Sequence, residues 1–253
     1  MKSDLSLYSQ TALVTGASSG IGAATAVALA RAGANVVMHY NSRKSEADAV
    51  MQQVHSHGVE VDLVQADLST AEGSRALARF AEGRVFDILV NNAGSLLART
   101  RVLDFTEELW QRVFQLNLTS AFFLSQAVLR GMVERKKGCI VNVSSVAARN
   151  GGGLGALAYA TAKGAISTMT KGLTREFGPY GIRVNAVSPG TVDTNYHRTF
   201  STPAALEGVR AATPAGRLGS AEEIADAIVF LCSEQASFIH GQVIEINGGF
   251  LMA

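Results

Sequence analysis

Thr15-Gly16-Ala17-Ser18-Ser19-Gly20-Ile21-Gly22 follows directly on the apolar run Ala12–Thr15 and opens the helical pattern Ile21–Ala32. Strand, glycine-rich turn and helix in that order make the first βα junction of an α/β fold. Gly16 can take the backbone angles of a tight strand-to-helix turn. At Gly20 and Gly22 the missing Cβ lets phosphate approach and lets the helix pack closely on the sheet. The helix N-terminus then offers N–H groups and the positive end of its dipole, and Ser18 and Ser19 add hydroxyl donors. The spacing is G-x-x-x-G-x-G rather than the generic G-x-G-x-x-G. Glycines alone would serve a structural turn equally well. Their position at the first βα junction points to a dinucleotide pyrophosphate held by Gly16, Ser18, Ser19, Gly20, Ile21 and Gly22.

The same rhythm of apolar run, turn and helix continues along the chain. Strand-like runs follow at Asn35–His39, Val59–Gln65, Ile88–Val90, Cys139–Val143, Arg183–Val187 and Val243–Ile246. They are nearly continuous in apolar residues, the pattern of strands covered on both faces in a parallel sheet. Helical segments lie between them at Ser45–Ser56, Thr70–Ala81, Glu107–Glu134, Ala158–Phe177 and Ala221–Cys232. Such alternation predicts a doubly wound (Rossmann) three-layer α/β fold with a seven-stranded parallel sheet. No low-complexity run, charge block or repeat marks a boundary, so residues 1–253 are expected to form a single dinucleotide-binding and catalytic domain. Asp193–Arg217 carries Pro203 and Pro214 and breaks the rhythm; it reads as a mobile lid over the strand ends.

Composition narrows the function. With 47% hydrophobic and 17% charged residues and a formal net charge of +1, nothing favours nucleic acid or an anionic membrane surface as partner. Cys139 and Cys232 each sit in an apolar segment, which fits two buried thiols in a reducing compartment better than a disulfide. Met1 to Gln10 has no apolar core of a secretory signal, and no stretch reaches the roughly 18 apolar residues of a membrane span. A cytoplasmic location is expected. His39, His55, His57, His197 and His240 are scattered without ligand spacing, so no metal is expected.

Further motifs stand in order along the chain: Asn91-Asn92-Ala93-Gly94, Asn117, Ser145, Tyr159-x-x-x-Lys163 and Pro189-Gly190. Together with the glycine turn they resemble the short-chain dehydrogenase/reductase family from about Thr11 to Phe250. The resemblance implies a nicotinamide-dependent oxidoreductase that interconverts a ketone and a secondary alcohol, commonly as a homotetramer. Tyr159 and Lys163 are four apart in a helical pattern and project from one face. A free phenol titrates near pH 10, too high for a neutral-pH proton shuttle, and an adjacent ammonium lowers it. Family order makes Tyr159 the acid or base, and Lys163 its tuner and a ligand of the nicotinamide ribose. Ser145, at the end of Cys139–Val143, can hold the substrate oxygen, with Ser144 the neighbouring alternative. Asn117, between Leu116 and Leu118, is either a satisfied core amide or, as in the family, the holder of a proton-relay water. The resemblance also places the backbone of Asn91, Ala93 and Gly94 beside the adenosine ribose. After the sixth strand come Pro189 and Gly190; Val192 would hold the carboxamide and Thr194 touch the diphosphate.

The second strand ends Met38-His39-Tyr40-Asn41-Ser42-Arg43-Lys44, with no carboxylate where an acid usually holds a ribose 2′-OH. Arg43 offers a fork for a 2′-phosphate and Asn41 and Ser42 neutral donors, so NADP(H) is preferred over NAD(H). The bland alternative is that Arg43 and Lys44 solvate the next helix. Asp67, with Leu68 beside it, resembles the family's adenine contact and also suits a turn cap.

Substrate cues are fewer. Thr213-Pro214-Ala215-Gly216-Arg217-Leu218-Gly219 and Asn247-Gly248-Gly249-Phe250 resemble the 3-oxoacyl-[acyl-carrier-protein] reductase branch. Arg135, Lys136 and Lys137 could meet an acidic acyl carrier protein or merely solvate a helix end. Tyr180 stands where that branch often has another basic residue. The rival expectations are a small ketone, sugar, steroid or quinone-like substrate, or a non-catalytic nucleotide sensor. The apolar tail Ile239 to Ala253 either closes the last strand or packs on a partner subunit.

Overall fold

The structure is a computed structural model that describes residues 5–252, with the side chains of 196–198 set aside. The reading of the N-terminus rests in part on residues 1–4, and that of His197 on its side chain; both lie outside the described residues. Seven strands form one sheet: β1 (Thr11–Val14), β2 (Asn35–Tyr40), β3 (Val61–Gln65), β4 (Ile88–Asn91), β5 (Gly138–Val143), β6 (Ile182–Pro189) and β7 (Val243–Ile246). Every pairing is parallel and the order is β3-β2-β1-β4-β5-β6-β7.

Alternate residues of each central strand feed two separate cores, one on each face. Val14, Val141 and Val187 face the core shared with α1 (Gly20–Arg31), α2 (Lys44–His55) and α10 (Ala221–Cys232). Leu13, Ile140 and Val184 face the opposite core. That second layer holds α3 (Ala71–Glu82), α4 (Glu107–Phe114), α5 (Ser120–Arg135), the short α6 (Ala147–Asn150) and α7 (Leu157–Phe177). The order reverses at β1, which lies between β2 and β4. Chain leaving β1 and β4 therefore parts to opposite layers and opens a crevice at the C-terminal strand ends.

The expected strands are found, with ends displaced by one or two residues. Two departures matter. The helix expected over Glu107–Glu134 is interrupted by a π-helical turn, Gln115–Thr119, which carries Asn117. The excursion after Asp193 contains two helices, α8 (Asn195–Phe200) and α9 (Pro203–Ala212), the latter capped by Thr202, whose Oγ1 accepts from the Ala205 amide at 3.2 Å.

The base of this excursion is tied down. Val192 pairs with Gly219, and Asp193 N–H donates to Gly219 O at 2.9 Å. Gly248 and Gly249, at φ +64° and +86°, pack on Thr213, Pro214 and Ala215, and Ala215 N–H donates to Gly248 O at 3.0 Å. The Thr213–Gly219 and Asn247–Phe250 motifs thus lock each other. Together they brace the base of the excursion. The apolar tail supplies the edge strand β7. Cys139 and Cys232 are both buried and free. Among the described residues no helix is long and apolar enough to cross a membrane.

Candidate active site

Three strand-end loops converge on the crevice. The turn after β1 has Gly16 and Gly20 at φ +67° and +56°. A Cβ on Gly22 would lie 2.2 Å from Gly16 O, so the turn closes only on glycine there. A Cβ on Gly20 would meet Thr194 Cγ2 at 3.3 Å, which sets the β6 loop against the cradle. Ser19 is the N-cap of α1, yet its hydroxyl makes no cap bond and the first turn carries no acid. The dipole end and the first-turn N–H groups are therefore left uncompensated by the helix itself. Ser18, Ser19, Gly20 and Ile21 are partly exposed around this opening. The cradle fits an anionic pyrophosphate.

The loop after β4 is stitched to this turn by Thr15 and Asn92, which stand inside the two sequence motifs without a role there. Thr15 Oγ1 accepts from the amides of Asn92 and Ala93, each at 2.9 Å. Asn92 Nδ2 donates to Thr15 O at 2.7 Å and to Gly16 O at 3.2 Å. On the other side, Gly16 N–H donates to His39 Nδ1 at 3.1 Å, from a ring only 2% exposed. The bonds of these three residues run between segments distant in the chain, so they follow from the sheet order.

At the far end of the crevice, Lys163 is 3% exposed and its Nζ donates to Val143 O at 2.7 Å. Burial pulls its ammonium down to about 8, so it stays mostly charged at neutral pH. Nζ sits 5.6 Å from the centre of the half-buried Tyr159 ring, within cation–π range. Asn117 is buried, donating from Nδ2 to Ser95 O at 2.8 Å and Val113 O at 2.9 Å while Oδ1 accepts from Ser95 N–H at 3.1 Å. A Cβ on Gly94 would lie 2.7 Å from Asn117 Oδ1 and 3.0 Å from Lys163 Nζ. Gly94 is thus the floor on which amide and ammonium meet. The π-turn is what brings Asn117 to it, since the extra residue per turn redirects one side chain.

The two serines after β5 differ. Ser144 is buried, with Oγ donating to Lys163 O at 3.0 Å and sharing a hydrogen bond with Ser167 at 2.8 Å. Ser145 is half-exposed; its Oγ accepts from Ala147 N–H at 3.1 Å, and its own O–H can point outward.

The remaining expected residues divide by side chain and backbone. Asn41, Ser42 and Arg43 are exposed at the end of β2, and Arg43 makes no ion pair among the described residues. Lys44 instead pairs with Asp48 at 2.8 Å. Asp67 caps its own turn, Oδ1 accepting from Ser69 N–H at 2.9 Å. Leu68 is buried in the core, so only its backbone can reach a ligand. Asn91 belongs to β4 itself, and its amide is consumed by Ser125 at 3.0 Å and Asn142 at 2.9 Å. Pro189 and Gly190 turn the chain out of β6; a Cβ on Gly190 would lie 2.8 Å from that of Asn247. Val192 is buried, and Thr194 is half-exposed against Gly20. Among the described residues no group of three or more His, Cys, Asp or Glu side chains could hold a metal.

Known proteins resemble the chain over nearly its whole length. A family model described as enoyl-(acyl carrier protein) reductase matches residues 16–251. The 3-oxoacyl-[acyl-carrier-protein] reductase FabG of Escherichia coli (strain K12) is 39% identical over 241 residues, 95% of this chain and 97% of the relative. A crystal structure of a putative NAD(P) dependent gluconate 5-dehydrogenase from Beutenbergia cavernae, with bound NADP, superposes with a TM-score of 0.92 at 36% identity. It covers 99% of this chain and 100% of its own. A 7α-hydroxysteroid dehydrogenase complexed with NADH gives 0.90 at 33%, covering 97% and 96%. From the glycine turn, the parallel sheet and a match spanning residues 16–251, the chain belongs to the short-chain dehydrogenase/reductase family and is an NAD(P)-dependent oxidoreductase.

Proposed function

We propose that the protein interconverts a ketone and a secondary alcohol, with NADP(H) the preferred dinucleotide and Tyr159 the acid or base. The observation that carries this reading is the Lys163 ammonium, anchored at Val143 O and set 5.6 Å from the Tyr159 ring. When bound, the dinucleotide supplies a hydride to the carbonyl carbon or takes one from the alcohol carbon. The glycine cradle with Ser18 and Ser19 would hold its pyrophosphate, and Asn41, Ser42 and Arg43 its 2′-phosphate. Ser145 donates its hydroxyl to the substrate oxygen and orients it beside Tyr159. Tyr159 gives its phenolic proton to that oxygen in reduction and removes it in oxidation. Lys163 stabilises the phenolate so formed, because a positive charge favours the anionic form of a neighbouring acid. Asn117, as in the family, would hold a water through which the proton returns from solvent to Lys163.

For the substrate, a 3-oxoacyl thioester is the first reading, supported by similarity to the E. coli reductase. Docking on an acidic carrier would rest on Lys136 and Lys137, because Arg135 donates to Phe86 O at 2.8 Å and is tied to the protein's own backbone. The gluconate-type dehydrogenase superposition favours a small polyol or sugar acid as second reading. The segment Asp193–Arg217 acts as lid, with Arg99 bridging it to the pocket rim by donating to Phe200 O at 2.5 Å and Leu154 O at 2.8 Å. Phe122 and Phe123, 42% and 45% exposed on α5, support self-association; the proposed assembly is a homotetramer, and the proposed location the cytoplasm.

The test is turnover of 3-oxoacyl thioesters, sugar acids and steroid ketones with NADPH and NADH. Tyr159→Phe should abolish turnover of whichever substrate is used. Full turnover in that variant would point to a nucleotide sensor or another acid, and faster reaction with NADH would overturn the nucleotide preference. Light scattering checks the assembly.

A further inference from the structure

We propose that His39 is a positioning residue for the dinucleotide, bracing the phosphate-cradling turn against the adjoining βα turn; this rests on the dinucleotide reading above. The imidazole is 2% exposed at the end of β2 and makes a hydrogen bond from each ring nitrogen. Nδ1 accepts the Gly16 N–H at 3.1 Å and so carries no proton. The proton is therefore on Nε2, which donates to Ala66 O at 3.0 Å. Burial keeps the ring in this neutral form, lowering its pKa to about 4.

The same residue binds the turn twice. Its carbonyl accepts the Ala17 N–H at 2.8 Å, so His39 consumes two successive amides at the start of the turn. The peptide preceding Gly16 is held from both ends, with Thr15 O accepting from Asn92 Nδ2 at 2.7 Å and Gly16 N–H on the imidazole. Gly16 can then keep its left-handed φ of +67°, and Gly16 O its place against Gly22. The N–H groups that remain for a ligand begin at Ser18.

At its other edge the ring grips Ala66, whose amide donates to Tyr40 O at 3.1 Å and which directly precedes Asp67. One ring therefore joins the exits of β1, β2 and β3, the three strand ends around the adenosine half of the crevice. A misplaced turn would present the same amides at the wrong distance. The cost falls on binding, since Ser145 follows β5 and Tyr159 and Lys163 lie on α7, away from the cradle turn.

Three substitutions separate the two bonds. His39→Asn puts Oδ1 where Nδ1 was and keeps the Gly16 bond; His39→Gln reaches toward Ala66 and loses it; His39→Leu loses both. NADPH affinity, measured by fluorescence without substrate, should fall about 10- to 100-fold in His39→Leu and His39→Gln and stay within about 3-fold in His39→Asn. At saturating dinucleotide kcat should change less than about 3-fold in all three. Wild-type affinity in His39→Leu overturns the proposal, as does a lost kcat with affinity unchanged. Should that variant not fold, the Asn and Gln pair decides, together with nitrogen NMR of the wild-type imidazole. A proton on Nδ1, or titration between about pH 5 and 8, would also overturn it. Wild-type protein that binds neither dinucleotide would overturn the underlying reading as well, so the two failures are distinct.

Discussion

Replacing Lys163 by Met should destroy activity and, near neutral pH, make the protein more stable. Burial alone lowers the Lys163 ammonium from 10.5 to about 8. By linkage that drop corresponds to about 3 kcal/mol by which the buried charge opposes folding. The folded pKa lies below the unfolded one, so the unfolded chain binds the proton more tightly. The penalty is complete below about pH 8, fades as the native lysine loses its proton, and is gone above about pH 10.5. Methionine has similar length and no charge, but it leaves Val143 O without its 2.7 Å donor, at a cost of about 1–2 kcal/mol. The net expectation is a gain of about 1–2 kcal/mol at pH 7, read as a midpoint a few degrees higher. Urea unfolding of both ligand-free proteins at about pH 7 and pH 10 measures it. The advantage should shrink with pH and reverse once only the lost hydrogen bond remains. A difference of the same size at both pH values, or a variant weaker at pH 7, would refute the assignment of a desolvated ammonium.

Other substitutions probe the rest of the site. Gly94→Ala places a methyl 2.7 Å from Asn117 Oδ1 and 3.0 Å from Lys163 Nζ without backbone strain; kcat should fall about 10- to 100-fold as both groups are displaced, with stability lowered by about 1–3 kcal/mol in thermal unfolding. Ser145→Ala should cut kcat by about 100-fold or more with a normal melting temperature. Ser144→Ala, which removes the Ser144 bonds to Lys163 O and Ser167 Oγ but leaves Ser167 Oγ donating to Lys163 O, should show instead as a stability loss of about 1 kcal/mol with most turnover retained. Arg43→Ala should raise the KM for NADPH about 10-fold or more and leave that for NADH unchanged. Arg99→Ala removes the bridge between Phe200 O and Leu154 O and should speed proteolytic cleavage within residues 193–217.

Much of this protein is legible without coordinates. The apolar runs separated by helical periods specify a parallel sheet, and each is encoded within a handful of neighbouring residues. The glycine turn is legible for the same reason, because the angles of Gly16 and the close approach at Gly22 are local demands on backbone. Tyr159 and Lys163 are neighbours on one helix, so their proximity follows from the helical repeat. Harder to read were residues whose partners are distant in the chain. Asn117 borders the same Gly94 floor as the Lys163 ammonium, from the π-turn Gln115–Thr119 set inside what the pattern presents as one helix. The packing of Thr213–Gly219 on Asn247–Phe250 joins segments distant in the chain and so has no local signature.

The sequence by itself determined the layered fold, the cradle and the helical Tyr–Lys pair, since periodicity and backbone freedom act over a few residues. Only the tertiary structure decided which of two adjacent serines keeps an available hydroxyl, and that His39 carries its proton on Nε2 beneath the cradle. Those outcomes depend on which strand ends become neighbours, and side-chain hydrogen bonds between distant segments have no signature until the sheet order is known.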